Sequence, residues 1–236
     1  MQRVHPTRAS DLGEDALHDA YLVPDASEWR NGRWVRVNFV MSLDGAICGP
    51  DGVSQPLGTD ADRQVFTLAR ALSDVVLVGA GTVRAEDYRP STRPLAIVSR
   101  RLDLVPSLRL FADRGPEHVR PLVMTTELAA KRAPDWLLAQ ADLVPCGEQE
   151  VDVAAVLDHL TDAGMTRVLC EGGPALLTEL LRQDLVDEIL LTLSPTLVGG
   201  DAHLVSLPGG LHPARRFRTA QVLEHDGTVL TRLLRA

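Results

Sequence analysis

The sequence predicts an α/β protein built on a mostly parallel central sheet flanked by helices, with a C-terminal antiparallel hairpin. Three observations carry that prediction. Short β-branched and leucine-rich runs alternate with amphipathic helical segments along most of the chain. Two of those runs end in glycine-bearing turns that lead into helices, at Gly79-Ala80-Gly81-Thr82 and at Glu171-Gly172-Gly173-Pro174. Finally, Phe217 to Leu223 and Thr228 to Leu234 read as two strands joined across His225-Asp226-Gly227, which would finish the sheet at an edge.

The elements follow in order. Residues 1 to 31 read as an N-terminal extension, with Pro6, Pro24 and a short amphipathic patch from Leu12 to Leu22, an arm that packs on the body or on a partner. Residues 32 to 236 form the body. It opens with Trp34 to Met41, an apolar run suited to a central strand that ends at Ser42. Cys48-Gly49-Pro50-Asp51-Gly52 follows as a turn-rich loop or hairpin. Thr59 or Asp60 caps a helix to about Leu72, with Val65, Leu68, Ala69 and Leu72 on one face. Asp74 to Val78 is a strand closed by Gly79. Further strands are expected at Leu95 to Ser99, Val119 to Thr125, Asp142 to Pro145, Arg167 to Cys170 and Ile189 to Leu193, with helices at Val151 to Ala163 and Pro174 to Leu181.

Composition narrows the function. At 236 residues and 45% hydrophobic, the chain is long enough to bury a full core as one domain. A formal net charge of -8 argues against the diffuse basic surface of a nucleic-acid binder. Lys131 is the only lysine, so a phosphate clamp must come from arginines and backbone N–H groups, and a P-loop lysine is excluded. Cys48, Cys146 and Cys170 lack metal-ligand spacing and read as buried free thiols; no metal site is expected. No apolar run approaches the ~20 residues that span a bilayer, and the start lacks the apolar core of a signal peptide. A cytoplasmic protein with no membrane partner is expected.

Several motifs bear chemistry, each beside a plainer reading. Gly172 and Gly173 allow close backbone approach, and Pro174 suits the first turn of a helix whose free N–H groups hold a phosphate; equally, the glycines serve only a strand-to-helix turn. The segment is not the G-x-G-x-x-G fingerprint. Gly79 to Val83 repeats the architecture and adds the Thr82 hydroxyl. Ser99-Arg100-Arg101 either reads a 2′-phosphate, favouring NADPH, or is an exposed basic loop. Asp44 in Ser42-Leu43-Asp44-Gly45 either faces a cleft or forms a turn. Glu171 either lines that cleft or caps the following helix. Together the two carboxylates can do acid-base or hydrogen-bonding work. Arg70 and Arg93 can meet a substrate phosphate or sit in surface ion pairs.

The series Met41-Ser42-Leu43-Asp44-Gly45, Gly79 through Asp87, Glu171 through Pro174 and Leu193 through Gly200 resembles, in order and spacing, the riboflavin-biosynthesis pyrimidine reductases over roughly residues 33 to 235. The resemblance implies a dihydrofolate-reductase-like fold, NADPH as cofactor and a homodimer. It implies reduction of a 5-amino-6-(5-phosphoribosylamino)pyrimidine to its ribitylamino form, with hydride delivered to C1′ of the opened sugar. Carried over by position, it sets Thr82 and Gly173, Pro174, Ala175, Leu176 and Leu177 at the cofactor, with Val40, Pro56 and Glu86 beside them; Gly79, Gly172, Ser99 and Arg100 join this set from the motif reading above. It sets Asn38, Ser54, Arg70, Pro90, Arg93 and Glu171 at the substrate, and Asp44 at a cleft aspartate that orients the ribose or passes it a proton. Asn38 stands where lysine is frequent, Pro56 where tryptophan is common, and Glu86 where aspartate is usual. A same-fold reductase of another pterin-like or carbonyl substrate, and a nucleotide-binding protein without turnover, are the competing readings. The zinc deaminase signature is missing, because there is no H-x-E paired with P-C-x-x-C.

Overall fold

A computed structural model describes residues 1–6, 9, 12–49, 51–112, 115–199, 203–205 and 210–236; Pro50 and Gly200, both part of the motifs above, lie outside them. The strands are β1 (Gln2–His5), β2 (Trp34–Met41), β3 (Val75–Gly79), β4 (Leu95–Val98), β5 (Leu122–Thr125), β6 (Asp142–Pro145), β7 (Arg167–Cys170), β8 (Glu188–Leu193), β9 (Phe217–His225) and β10 (Thr228–Arg235). The helices are α1 (Glu14–Tyr21), α2 (Asp60–Ala71), α3 (Ala80–Ala85), α4 (Arg109–Ala112), α5 (Glu127–Ala130), α6 (Asp135–Gln140), α7 (Val153–Asp162) and α8 (Pro174–Arg182).

All the strands join one sheet in the order β1-β9-β10-β8-β2-β7-β3-β4-β5-β6. From β8 to β6 neighbours run parallel, and from β8 to β1 they run antiparallel. Parallel strands buried on both faces need apolar residues at successive positions, and Val35, Val37, Val75, Val76, Leu77 and Val78 supply them. One face packs Val76, Val78 and Ile97 against α1, α2 and α3; the other packs Val35, Val37 and Leu77 against α7 and α8.

Two sequence expectations are corrected here. The β9–β10 hairpin does not finish the sheet, because β1 pairs antiparallel with β9 and the Gln2 side chain donates to Glu224. Part of the lead-in thereby covers backbone groups that an edge strand would leave unpaired. The strand expected from Val119 starts only at Leu122, after Pro121, whose missing N–H cannot enter a ladder. The choice of cap before α2 falls on Thr59, whose hydroxyl accepts the Asp62 N–H at 3.2 Å.

β8, where the pairing changes direction, begins with a charge. Glu188 is 0% exposed and accepts from Trp34 Nε1 at 2.7 Å, Arg36 Nη2 at 2.9 Å and Arg232 Nε at 2.7 Å. The arginines extend past it to the end of α1: Arg36 donates to the Tyr21 carbonyl at 2.7 Å, and Arg232 to those of Ala20 and Leu22 at 2.6 and 2.8 Å. Cations therefore sit where the helix dipole is negative and its last carbonyls lack partners.

Removing one member of a buried charged set strands the others. Glu188→Gln is expected to lower unfolding stability by about 3–5 kcal/mol, measured by chemical denaturation. A loss below about 1 kcal/mol would show that the cluster is not what joins the two parts of the sheet.

Candidate active site

Ligands of open parallel sheets collect at the carboxyl ends of the strands. Here those ends, on β2, β3, β4 and β7, open into a cavity of about 1160 Å³ lined by Asn38, Val40, Gly79, Ser99 and Glu171 among others. Its walls come from α2, α3 and the start of α8.

The chain end of β3 bonds directly to that of β7. Glu171 N–H donates to the Leu77 carbonyl at 3.0 Å, and Gly79 N–H to the Gly172 carbonyl at 2.7 Å. This join leaves no room for side chains. A Cβ on Gly173 would lie 2.8 Å from Thr82 Oγ1, one on Gly79 would lie 3.2 Å from Gly173 N, and one on Gly172, at φ +104, would meet the Phe39 ring at 3.2 Å. Gly173 is the N-cap of α8 and Pro174 its first residue, so the first-turn N–H groups of Ala175 and Leu176 have no intrahelical acceptor.

Glu171, at the end of β7, has a side chain only 2% exposed. Arg70 grips it with both forks, Nε to Oε1 at 2.6 Å and Nη2 to Oε2 at 2.7 Å, and Tyr88 donates its hydroxyl to Oε2 at 2.6 Å. The Arg70 guanidinium also lies 4.3 Å from the Phe66 ring centre and 5.5 Å from that of Tyr88. Burial, and then the Glu171 charge, push the Tyr88 phenol well above its ordinary range, so it donates as a neutral hydroxyl. Of the two readings of Glu171, the structure realises the cleft wall; it is Gly173 that caps α8.

Other positions named from the sequence divide by place. Ser54, Glu86, Pro90, Arg93, Thr82 and Arg100 line the cavity, as do Pro174, Ala175 and Leu176. Glu86 Oε1 accepts the Ser54 N–H at 2.7 Å and fastens the loop before α2 to the end of α3. Arg93 Nη1 donates to the Ser73 carbonyl at 2.5 Å, and exposed Arg100 pairs with Glu150 at 2.5 Å. Arg101, beside it on the wall, has no ion pair among the described residues.

Four positions lie outside that wall. Leu177 is buried in the core against the sheet, Gly172 packs on Phe39, and Pro56 sits exposed in a short 3-10 turn. Asp44 is exposed. Its Oδ1 accepts from Ser42 Oγ at 2.7 Å and Val198 N–H at 3.1 Å, and its Oδ2 from Gly199 N–H at 2.6 Å. The Ser42 hydroxyl and then the two backbone donors hold its carboxyl down to about 2. Such a group anchors the loop after β8. The thiols divide too: Cys146 and Cys170 are buried, but Cys48 is half-buried on the cavity wall.

Three wall residues escaped the sequence reading. Tyr88, Phe66 and Asp62 lie in none of the motifs, and an acid in a helix first turn carries no signal of its own. Asp62 is 9% exposed, lines the cavity, and leaves Oδ1 without a hydrogen-bond partner among the described residues. Burial pushes its carboxyl up, against smaller opposing effects of the Thr192 hydroxyl and the Arg63 charge.

A mixed sheet with its site at the strand ends, between two glycine-led helices, defines an α/β protein of the dihydrofolate reductase fold. Dihydrofolate reductase from Enterococcus faecalis, 12% identical, superposes with a TM-score of 0.51 over 86% of this chain and 96% of its own. A pyrimidine reductase-like protein from Corynebacterium diphtheriae, 20% identical, gives 0.77 over 87% of this chain and 93% of its own. The chain belongs to the RibD C-terminal domain family, whose family model matches residues 33–230. Among curated relatives it is similar to the 2,5-diamino-6-ribosylamino-4(3H)-pyrimidinone 5′-phosphate reductase of Archaeoglobus fulgidus, 30% identical over 71% of this chain and 82% of that one.

Because the folded carboxyl of Asp44 titrates below its ordinary value of 3.8, its hold on the loop is complete above that pH and is lost as pH falls toward about 2. In an NMR titration the Val198 and Gly199 amides are expected to move with a midpoint near 2 and to stop doing so in Asp44→Asn. A midpoint at 3.8 or above would detach Asp44 from the loop.

Proposed function

We propose that this chain is an NADPH-dependent reductase of a 5-amino-6-(5-phosphoribosylamino)pyrimidine in riboflavin biosynthesis, acting as a cytoplasmic homodimer. The observation that carries this reading is the Glu171–Arg70–Tyr88 clamp on the wall of the same cavity that holds the joined glycine turns. Family membership and the named substrate of the Archaeoglobus relative support the same chemistry. Among the described residues no helix is long and apolar enough to cross a membrane.

The residues fit the cofactor. The cradle between Thr82, Gly79 and Gly173 is one that a Cβ would fill, and the first-turn N–H groups of α8 suit a pyrophosphate. Ser99 and the unpaired Arg101 suit a 2′-phosphate, whereas Arg100 is taken by Glu150. When bound, NADPH supplies a hydride. In the substrate the C1′–O4′ bond breaks, O4′ takes its electron pair and a proton, and C1′ gains that hydride. Arg93 and Arg70 offer guanidinium N–H groups to the 5′-phosphate, and Glu171 holds Arg70 in the orientation that does so. Asp44 positions the loop after β8.

Three measurements test this reading. The protein is expected to oxidise NADPH in the presence of the ribosylamino-pyrimidine phosphate, and to prefer it over NADH by at least ~10-fold, a preference that Arg101→Ala reduces. Gly173→Val is expected to raise the NADPH Kd by more than ~10-fold, because the new Cβ collides with Thr82. Glu171→Gln is expected to lower kcat/KM by roughly 100-fold while changing NADPH affinity little. NADPH binding without turnover of any ribosylamino-pyrimidine would replace this reading with that of a nucleotide-binding protein.

A further inference from the structure

A second cavity, of about 470 Å³, opens where strands begin: Asp74, just ahead of β3, and Arg167, the first residue of β7, lie on its wall. Its size is within the range of small-ligand pockets. Leu22, Val23 and Trp29 on the same wall come from the lead-in, ahead of residue 33 where the family match begins. Leu72, at the end of α2, completes the apolar part.

The lead-in wall is held still by its own turn. Asp25 accepts the Ser27 N–H at 2.9 Å, and Trp29 Nε1 donates to the Pro24 carbonyl at 2.8 Å, so the indole is fixed across the turn while it stays only half-buried. Leu22 beside it is 44% exposed. The polar part of the wall is only partly engaged. Asp74 Oδ1 accepts from Arg167 Nε at 3.0 Å and Nη2 at 2.5 Å, and its Oδ2 accepts the backbone N–H groups of Thr166 and Arg167 at 3.1 and 2.8 Å. That carboxylate is satisfied. The guanidinium is not, because the edge made by Nη1 and the second N–H of Nη2 has no acceptor among the described residues, on a side chain 46% exposed.

A flat ring packs on an indole, and a free guanidinium edge takes a carboxylate or phosphate through two parallel bonds. We propose that the second cavity binds a planar aromatic ring bearing an anionic group, the ring against Trp29 and Leu22 and the anion on Arg167, and, resting on the function proposed above, that its occupant regulates the reductase. The link is the segment from Arg70 to Asp74, which borders both cavities: Arg70 lies on the first, Leu72 and Asp74 on the second. Ser73 stands between them. Its hydroxyl donates to the Ala69 carbonyl at 2.7 Å, and its carbonyl accepts Arg93 Nη1 at 2.5 Å. An occupant that displaces Leu72 or Asp74 therefore shifts the anchor of Arg93 and the helix end that carries Arg70, and loosens the hold of both on a 5′-phosphate.

Flavin mononucleotide is the probe, a three-ring system with a phosphate and the phosphorylated form of what a riboflavin pathway makes. Its binding to the whole protein is followed by flavin fluorescence with NADPH saturating, which keeps the first cavity filled. Binding is expected to persist under NADPH, to be at least ~10-fold weaker for riboflavin, which lacks the anion, and to weaken at least ~10-fold in Trp29→Ala and in Arg167→Gln. No binding, displacement by NADPH, or a Kd unmoved in both variants overturns the site. Unchanged NADPH affinity shows that a variant is folded; if Arg167→Gln fails that check, Trp29→Ala and the riboflavin comparison decide. In turnover, flavin mononucleotide is expected to raise the KM for the ribosylamino-pyrimidine phosphate at least ~3-fold with a smaller effect on kcat, and to lose that effect in Trp29→Ala. An unchanged KM, or an effect that survives in Trp29→Ala, overturns the regulatory role. If no ribosylamino-pyrimidine is reduced, the function proposed above falls by itself, and the binding measurements still decide for the site.

Discussion

One carboxylate with no exposure to solvent, Glu188, joins two sheets' worth of pairing into one. It stands at the start of the strand where parallel pairing gives way to antiparallel, with Arg36 and Trp34 reaching it from the parallel side and Arg232 from the other. A single charge against two guanidiniums would leave a surplus in the interior, and two Arg36 nitrogens do lack partners. The surplus is met by carbonyl oxygens at the end of α1, which accept from both arginines. The lead-in is therefore part of the electrostatic solution of the core.

That arrangement reaches the site through packing. Leu17 and Tyr21 of α1 are buried in the cluster that contains Ala61, Val65 and Ala69 of α2. Pinning the end of α1 to the sheet thus sets one side of α2, and the adjacent stripe carries Asp62, Phe66 and Arg70. Arg70 is then locked from the front by Glu171, an ion pair between residues on different elements. Because Glu171 also follows the strand that opens into Gly172 and Gly173, the position of the guanidinium and the shape of the glycine cradle depend on the same few backbone bonds. Geometry of that kind is what positions reacting groups.

Much of this was legible from patterning and some of it was not, for physical reasons. Trp34 to Met41 could be read to the residue because six of its eight residues are apolar and outweigh Arg36 and Asn38. The start of β8 was missed by one residue because a glutamate in a sheet centre contradicts the apolar pattern, and only its partners, 154 to 44 residues away in sequence, make it acceptable there. β1 was missed because four mixed residues hold little signal without the strand they pair with. Glycine turns announced the cradle because their steric need is local. The use of Asp44 was not local: its acceptors meet Val198 and Gly199, so a motif that suggested a cleft acid instead holds a loop. Asp62 was hidden for the opposite reason, since an acid in a helix first turn has an adequate local explanation and only burial shows that the explanation is incomplete.

Charge completes the account. A chain with a net charge of -8 repels anions at long range, so a phosphorylated ligand must be received by something local. The cavity supplies it unevenly: Arg70, Arg89, Arg93 and Arg101 lie on its wall, while Asp62 holds a carboxylate about two helical turns from Arg70 along the same face of α2. A ligand that carries a dianion at one end and hydrogen-bond donors at the other is oriented by both at once, and reversing it sets carboxylate against phosphate and guanidinium against N–H. Like charges in a desolvated cleft repel far more strongly than in water. Under the proposed function, this polarity of α2 would orient the substrate, and the glycine cradle would need only to bring the second reactant to the correct face.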